Sequence, residues 1–365
     1  MTDIIIIGGG IIGLMTAREL VATGAKIIIL EKEMIGRESS WAGGGILSPL
    51  YPWRTAEPII QLWLRSHAEY PQLAETLQRH TGIDPEWQRS GLLIGDCENP
   101  SLIETWCKSH GIAYERLSFT RFRELEPSVS LTPSSPLFLS EIAQVRNPRL
   151  LRACQSDLLA QGAQILEHRP VTEVGMDGRR RIRRVRAGNE TFTADQFVIT
   201  AGAWSGAVSR HLFPLPHPSI EPVKGQMIVF SAEPDLLRHM VLHQGHYLIP
   251  RKDGKILAGS TLEYTGFDKA TTESARDELL EFAYAALPAL RSYPIEKHWA
   301  GLRPGTPTGI PYIGRHPEIQ NLYFNCGHFR NGFATAPASA RLLSDLLLDR
   351  PPDIFPEPYS LTVEH

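Results

Sequence analysis

The residues with the clearest chemical meaning stand near the start of the chain. Gly8-Gly9-Gly10-Ile11-Ile12-Gly13 follows an unbroken apolar run from Ile4 to Ile7, and a second apolar run, Lys26 to Leu30, ends on an acid, Glu31. This is G-x-G-x-x-G in the strand–turn–helix setting where it binds a dinucleotide. Gly8 permits the tight turn, Gly10 lets the backbone approach a pyrophosphate, and Gly13 lets the helix pack closely on the sheet. The diphosphate then lies at the helix N-terminus, where free N–H groups and the dipole favour an anion. Glu31 follows by about the 20 residues at which an acid meets a ribose hydroxyl, and an acid there repels a 2′-phosphate, which disfavours NADP. An ordinary βαβ turn is the plainer reading of the glycines. The amphipathic helix (Ile12, Met15, Leu20 and Val21 near one face) and the stop at Gly24 favour the nucleotide reading. The motif does not separate FAD from NAD.

Four further segments carry chemistry less specifically. Ser39-Ser40-Trp41-Ala42-Gly43-Gly44-Gly45-Ile46-Leu47 can run its backbone flat against a ligand, and Trp41 and Ile46 argue against an exposed flexible loop. Phe197 to Thr200 is a strand opening into small residues through Ser205, suited to a second approach to a nucleotide. Ala300 to Gly314 sets Arg303 among glycines and prolines, and a guanidinium fixed on a rigid loop suits bidentate capture of a carboxylate. By residue type alone, a surface ion pair explains that arginine as well. Gly327-His328-Phe329-Arg330-Asn331-Gly332-Phe333 precedes the last helix, whose N-terminus can stabilise negative charge on a reduced cofactor ring. His328 by itself reads as a packed or hydrogen-bonded residue, not as a base.

These segments need a frame. The chain has 365 residues, which suits about two domains. Its net charge of −3 implies no general attraction to nucleic acid or acidic membranes. No stretch approaches the roughly 20 apolar residues of a membrane span, and the first strand begins too early to leave room for a signal peptide. Cys97, Cys107, Cys154 and Cys326 form no C-x-x-C pair; they read as free thiols in a reducing cytoplasm, with no metal site. Residues 55 to 80, about 101–110, 148 to 161, 272 to 287 and the segment ending near Leu348 read as helices. Residues 164–166, 171–176, 196–200 and 322–325 read as strands, with a hairpin at Asp177-Gly178. Residues 223–262 are β-rich, with a hairpin at Arg251 to Lys255 around Asp253-Gly254. The α/β segments are split by two β-rich insertions, and the crevice between the parts is the expected ligand site.

Taken together, Ile7 to Gly13, Ser39 to Leu47, Tyr247-Leu248-Ile249-Pro250-Arg251, Ala300 to Gly314 and Gly327 to Gly332 resemble the D-amino acid oxidase family of FAD enzymes. Within it, the resemblance is to the glycine-oxidising branch of thiamine thiazole biosynthesis, from Ile4 to about Leu348. The resemblance implies an α/β fold: a Rossmann-like FAD-binding domain with an inserted antiparallel-sheet substrate domain, of the glutathione-reductase-2 flavoprotein type. The FAD-binding part is expected over 1–86, 145–222 and 300–350, the substrate part over 87–144 and 223–299, and a C-terminal tail over 351–365.

The resemblance also implies non-covalent FAD, since no cysteine stands where covalent attachment occurs in sarcosine oxidases and Cys326 lies in a strand. Beside Gly8, Gly10 and Gly13, Ile11 and Ile12 are expected at the diphosphate, and Glu31 and Lys32 at the adenosine ribose. Ser39, Ser40, Gly44, Gly45 and Ile46 are expected along the diphosphate and isoalloxazine, and Val174 at the adenine. His328, Phe329, Arg330, Asn331, Gly332, Phe333 and Ala334 are expected around the flavin ring. Arg303 and Tyr247 match residues that hold the substrate carboxylate, and Arg330 matches a further active-site arginine. The implied activity is oxidative deamination of glycine, sarcosine and small D-amino acids with O2 as acceptor and H2O2 as product. The imine hydrolyses to glyoxylate and ammonia or passes to a thiazole synthase. A D-amino acid dehydrogenase or 2-hydroxy acid oxidase of the same fold is the alternative. A homo-oligomer without nucleic-acid or membrane partners completes the expectation. The all-glycine stretch Gly43–Gly45 stands near a bulky residue of relatives, which suggests a wider pocket.

Overall fold

The computed structural model of the protein describes residues 2–178, 180–213 and 216–363. The Asp3–Ile7 strand lies inside a six-stranded sheet, with Gln196–Ile199 and Lys26–Leu30 parallel on either side. Ile4, Ile5 and Ile6 are wholly buried, as expected where a parallel sheet is covered on both faces and its strands read as continuous apolar runs. Leu322–Cys326 and Gln164–Leu166 extend the sheet in parallel, and Tyr312–Arg315 closes one edge antiparallel. Helices Ile11–Val21, Glu57–Thr81, Asn147–Ala160 and Gly332–Leu347 pack on one face around Leu14, Leu62, Leu150 and Leu343. The other face meets a three-stranded antiparallel sheet, Val171–Asp177, Arg181–Ala187 and Glu190–Phe192, through Ile182, Val185 and Ala187.

A second, eight-stranded sheet holds the other part of the molecule. Its order is Ile295–Gly305, Glu221–Ser231, Lys255–Gly259, His246–Pro250, Met240–His243, Leu92–Ile94, Leu137–Leu139 and Glu115–Arg116. Side chains alternate across it with period two. Met227 and Val229 join the cluster containing Trp63 and Tyr247, while Ile228 and Phe230 pack with Leu279 and Ala283 of the Glu273–Ala286 helix. The Thr272 hydroxyl caps that helix by accepting from Ala275 N.

Three sequence expectations change. Arg303 is not on a loop: it lies in the long edge strand Ile295–Gly305, with Val223 opposite. Pro304 and the glycines suggest a loop, but an edge strand tolerates proline because one of its sides needs no ladder partner. The same strand crosses the expected domain boundary at residue 300, so 300–305 stay with the eight-stranded sheet. A second helix in the 87–140 region, Phe119–Leu125, escaped the periodicity reading; its signal is Ser118, whose hydroxyl accepts from Arg121 N.

Candidate functional site

A cavity of about 660 Å3 runs from the carboxyl ends of the parallel strands to the face of the eight-stranded sheet. That size is typical of cofactor sites, and the end of a parallel sheet is where nucleotides bind. At the parallel-sheet end of the cavity, Gly8 and Gly13 have the steric roles that their spacing implied. Gly8 has φ +112°, and a Cβ there would fall 2.6 Å from the Thr200 carbonyl oxygen. A Cβ on Gly13 would meet Gly8 O at 2.0 Å, so this glycine serves helix–strand packing and lies behind the cavity wall. A Cβ on Gly10 would meet only Ser40 Oγ, at 3.0 Å. Ile11 N donates to Ser40 Oγ (2.9 Å), and the first bond within the helix is Leu14 N to Gly10 O. The Ile12 and Gly13 N–H groups belong to the first turn and have no partner within the helix.

Glu31 is buried at the tip of its strand. Its Oε2 accepts from Gly9 N (2.8 Å) and its Oε1 from Glu33 N (3.0 Å), which fixes the carboxylate beside the glycine turn with lone pairs to spare. Lys32 Nζ stands 3.3 Å from the centre of the Trp204 ring and 3.6 Å from Glu38. Trp204 therefore forms a wall here through a cation–π contact, an arrangement that residue type alone did not reveal. Val174, expected at the adenine, lies along the Val171–Asp177 strand away from the cavity, which is reached instead by Arg169, Pro170 and Val171 at the start of that strand.

The middle of the cavity is walled by Ser39 to Ile46. Ser39–Ala42 is one short helix, and Gly43 to Gly45 run on from it as bare backbone. The glycines are tightly packed and do not widen the pocket. A Cβ at Gly44 would fall 2.6 Å from Ile249 Cδ1, and one at Gly45, whose φ is +75°, 2.1 Å from Val145 O. The space that a side chain would need is already filled from Ile249, Val145 and Asn147. Asn147 Nδ2 donates to Ser40 O (2.9 Å), and its Oδ1 is buried without a donor among the described residues.

The far end brings together Arg303, Tyr247, Arg330 and His328. Arg303 Nη1 donates to Thr261 O (3.1 Å) and Lys224 O (3.3 Å), and Nη2 to Ser260 Oγ (2.7 Å). Gly225 is required beneath it, because a Cβ there would lie 2.2 Å from both terminal nitrogens. Burial pushes the guanidinium below its ordinary range; the Tyr247 hydroxyl beside it opposes this, and the Arg330 charge adds to it. Tyr247 is 7% exposed, and its ring lies against Gly259, where a Cβ would fall 2.8 Å from Cε2. Arg330 is exposed on the cavity rim, next to Phe329, which adopts φ +45°.

His328 is buried and fully committed. Its Nε2 meets Asn325 Oδ1 (2.8 Å) and its Nδ1 meets Thr335 Oγ1 (3.1 Å). Asn325 Nδ2 passes the network on to Thr16 Oγ1 (3.1 Å) in the first helix. Burial pushes the imidazole down to about 3, so it is neutral at working pH and joins three elements as a strut. Phe329, Asn331, Gly332 and Phe333 also line the cavity; Ala334 turns away into the cluster around Trp63 and Tyr247. The sequence reading missed the Tyr51–Arg54 turn at the outer wall, where Arg54 stacks over the Tyr51 ring at 4.6 Å. No spacing signal marks it, because a turn is placed at a cavity only by the fold.

The donor set suits FAD: a helix N-terminus for the diphosphate, a fixed carboxylate for the ribose, and a bare backbone wall for a flat ring. The chain matches the family described as DAO: FAD dependent oxidoreductase over residues 3–346. It is 42% identical to the glycine oxidase of Pseudomonas putida over 360 residues, covering 98% of each chain. It is 31% identical to the bifunctional protein ThiO/ThiG of Synechocystis, covering 96% of this chain and 52% of that one. Its fold superposes on the crystal structure of glycine oxidase from Geobacillus kaustophilus with a TM-score of 0.93 at 28% identity, over 100% of both chains. The family match over residues 3–346 and these relatives over nearly the whole chain lead to one conclusion: the chain belongs to the D-amino acid oxidase family of FAD-dependent oxidoreductases.

Proposed function

We propose that the protein is a glycine oxidase, acting also on sarcosine and small D-amino acids. The observation that carries this reading is the placing of Arg303 and Tyr247, from two strands of one sheet, at the cavity end that faces Gly44 to Ile46 and Arg330. FAD, held by the Gly8–Ile12 turn, Glu31 and the Ser39–Ile46 wall, would supply a two-electron acceptor for the substrate Cα–H bond and would return those electrons to O2 as H2O2.

The chain itself binds and orients. Arg303 and the Tyr247 hydroxyl receive the carboxylate and turn the Cα–H toward the Gly44–Ile46 wall. Arg330 leaves net positive charge at this end, and a nearby cation favours the neutral amine over the ammonium form, the form with a lone pair to stabilise the developing imine. The His328 nitrogens are occupied by Asn325 and Thr335, so no proton step is assigned to it. Catalysis by this chain is then mainly orientation, which can lower a barrier by several kcal/mol. The same reading takes Gly8, Gly10, Ile11, Ile12, Glu31, Lys32, Ser39 and Ser40 as the nucleotide contacts. It divides the chain into an FAD unit around the parallel sheet and a substrate unit around the eight-stranded one.

Hand-off of the imine to a thiazole synthase is part of this proposal, supported by relatives named ThiO/ThiG that are about twice this chain's matched length. A homo-oligomeric, cytoplasmic protein completes it. No helix among the described residues is long and apolar enough to cross a membrane, and the four cysteines are free. The test is the anaerobic visible spectrum of the purified protein before and after glycine is added. Bleaching of a yellow flavin supports the reading. A flavin that does not bleach with glycine but does with a 2-hydroxy acid overturns it.

A further inference from the structure

Arg251 closes the strand that carries Tyr247 and is 8% exposed, yet it lies outside the cavity. Its guanidinium donates to three neutral oxygens. Nη2 meets Gly44 O (2.8 Å), and Nη1 meets Gln144 Oε1 (2.6 Å) and Val145 O (2.9 Å). Burial, with Arg146 adding to it, pushes Arg251 down to about 10; Glu86 and Asp253 oppose, but both carboxylates are bonded to Arg146. A buried cation without a carboxylate of its own is an expensive way to hold a loop, so its direction matters more than its contribution to stability.

That direction follows from peptide geometry. In a planar trans peptide the N–H points opposite to the preceding carbonyl. With Gly44 O held by Arg251, the Gly45 N–H is turned away from Arg251. With Gly45 O held by Val145 N (2.9 Å), the Ile46 N–H is turned away from Val145. Neither N–H finds an acceptor among the described residues, and both residues line the cavity. Gly45 is buried and Ile46 partly so, and backbone donors without a partner away from water are rare in folded proteins, so these two are available to a ligand acceptor. Gly45 and Val145 cannot be moved apart cheaply, because Gln144 Nε2 bonds Ser90 Oγ and Pro250 O (both 2.9 Å) and ties the strut to the strand.

We infer that Arg251 is a positioning residue for the flavin: through the Gly44 carbonyl it aims the Gly45 N–H, and through Val145, whose carbonyl it also holds, it steadies the Ile46 N–H, so that both point into the cavity as hydrogen-bond donors to the ring. This rests on FAD binding and not on which amino acid is oxidised. Donors aimed at the ring favour its electron-rich form, so their loss lowers the flavin midpoint potential as well as the affinity.

The test reconstitutes apoprotein with FAD and reads the dissociation constant, the visible spectrum and the midpoint potential for Arg251→Gln and Arg251→Lys, with thermal melts as the folding control. Expected are an FAD Kd raised about tenfold or more in Arg251→Gln, a displaced flavin band and a lowered potential. Arg251→Lys, which can reach Gly44 O but not all three acceptors, should fall between it and the parent. Should the glutamine variant not fold, the lysine variant decides by its potential. A folded variant with the parental Kd, spectrum and potential overturns the inference, and so does a lowered melting temperature with an unshifted potential.

Discussion

Replacing Arg303 tests the proposed substrate site most directly, and the structure fixes what should be lost. A guanidinium has five N–H donors in a planar fork. Three are directed at Thr261 O, Lys224 O and Ser260 Oγ. Two are not directed at these groups, Nε–H and one Nη2–H; the Tyr247 hydroxyl also bonds the guanidinium, and on the proposed reading this edge and that hydroxyl together take the carboxylate side-on. The group is desolvated and has no carboxylate bonded to it among the described residues. Breaking such a pair costs on the order of 2–5 kcal/mol, or roughly 30-fold to several thousandfold in kcat/KM. Arg303→Lys keeps the charge and loses the fork, so it should stand near the lower bound, and Arg303→Ala near the upper.

The assay is steady-state oxidation of glycine in parallel with FAD content and oxidation of a simple amine that has no carboxylate. The glycine value should collapse, chiefly through KM, while flavin content and the amine rate hold. Arg303→Ala also leaves three acceptors facing a void, so a melting temperature lowered by a few degrees is expected and does not count against the argument. If both variants oxidise glycine with KM within threefold of the parent while retaining FAD, the carboxylate binds elsewhere and the orientation argument fails.

Other consequences are equally concrete. Tyr247→Phe removes one hydroxyl while keeping the ring that packs on Gly259, and should lower kcat/KM for glycine by roughly 1–2 kcal/mol with no change in melting temperature; an unchanged kcat/KM removes Tyr247 from the site. Gly45→Ala must place a methyl group 2.1 Å from Val145 O at φ +75°, so it should destabilise by about 3 kcal/mol or more and release FAD, as seen in chemical denaturation and in flavin stoichiometry. His328 is depressed to about 3 in the folded protein, so the unfolded chain binds the extra proton first as pH falls. Stability is whole above the unfolded value near 6.5 and is lost below it, by about 2 kcal/mol on going from pH 6.5 to 5. Denaturant melts of the apoprotein should show that slope, and His328→Gln should flatten it.

What could be read from the sequence follows a physical division. The Gly8 to Gly13 turn, the buried isoleucine strand and Glu31 were legible because each depends on neighbours within some 20 residues along the chain and on sterics that only glycine satisfies. The cavity end around Arg303 was legible in composition but not in conformation. Proline and glycine mark loops wherever local preference decides, and here pairing with Glu221–Ser231 decides instead. A loop arginine and a strand arginine differ in consequence: a strand residue alternates faces and is held by its ladder, so Arg303 gains its aim from register.

The glycines at 43–45 show the limit from the other side. The sequence says that three side chains are missing; only the fold says what occupies their place. Open space would make the loop a determinant of substrate size. Ile249, Val145 and Asn147 instead press against the backbone, which makes the loop a determinant of where its N–H groups point. The groups that set this direction, Arg251 and Gln144, come from distant points in the chain. A backbone that contacts a flat ring cannot be tuned by its own side chains, so its aim must come from the residues behind it, where no local sequence signal exists.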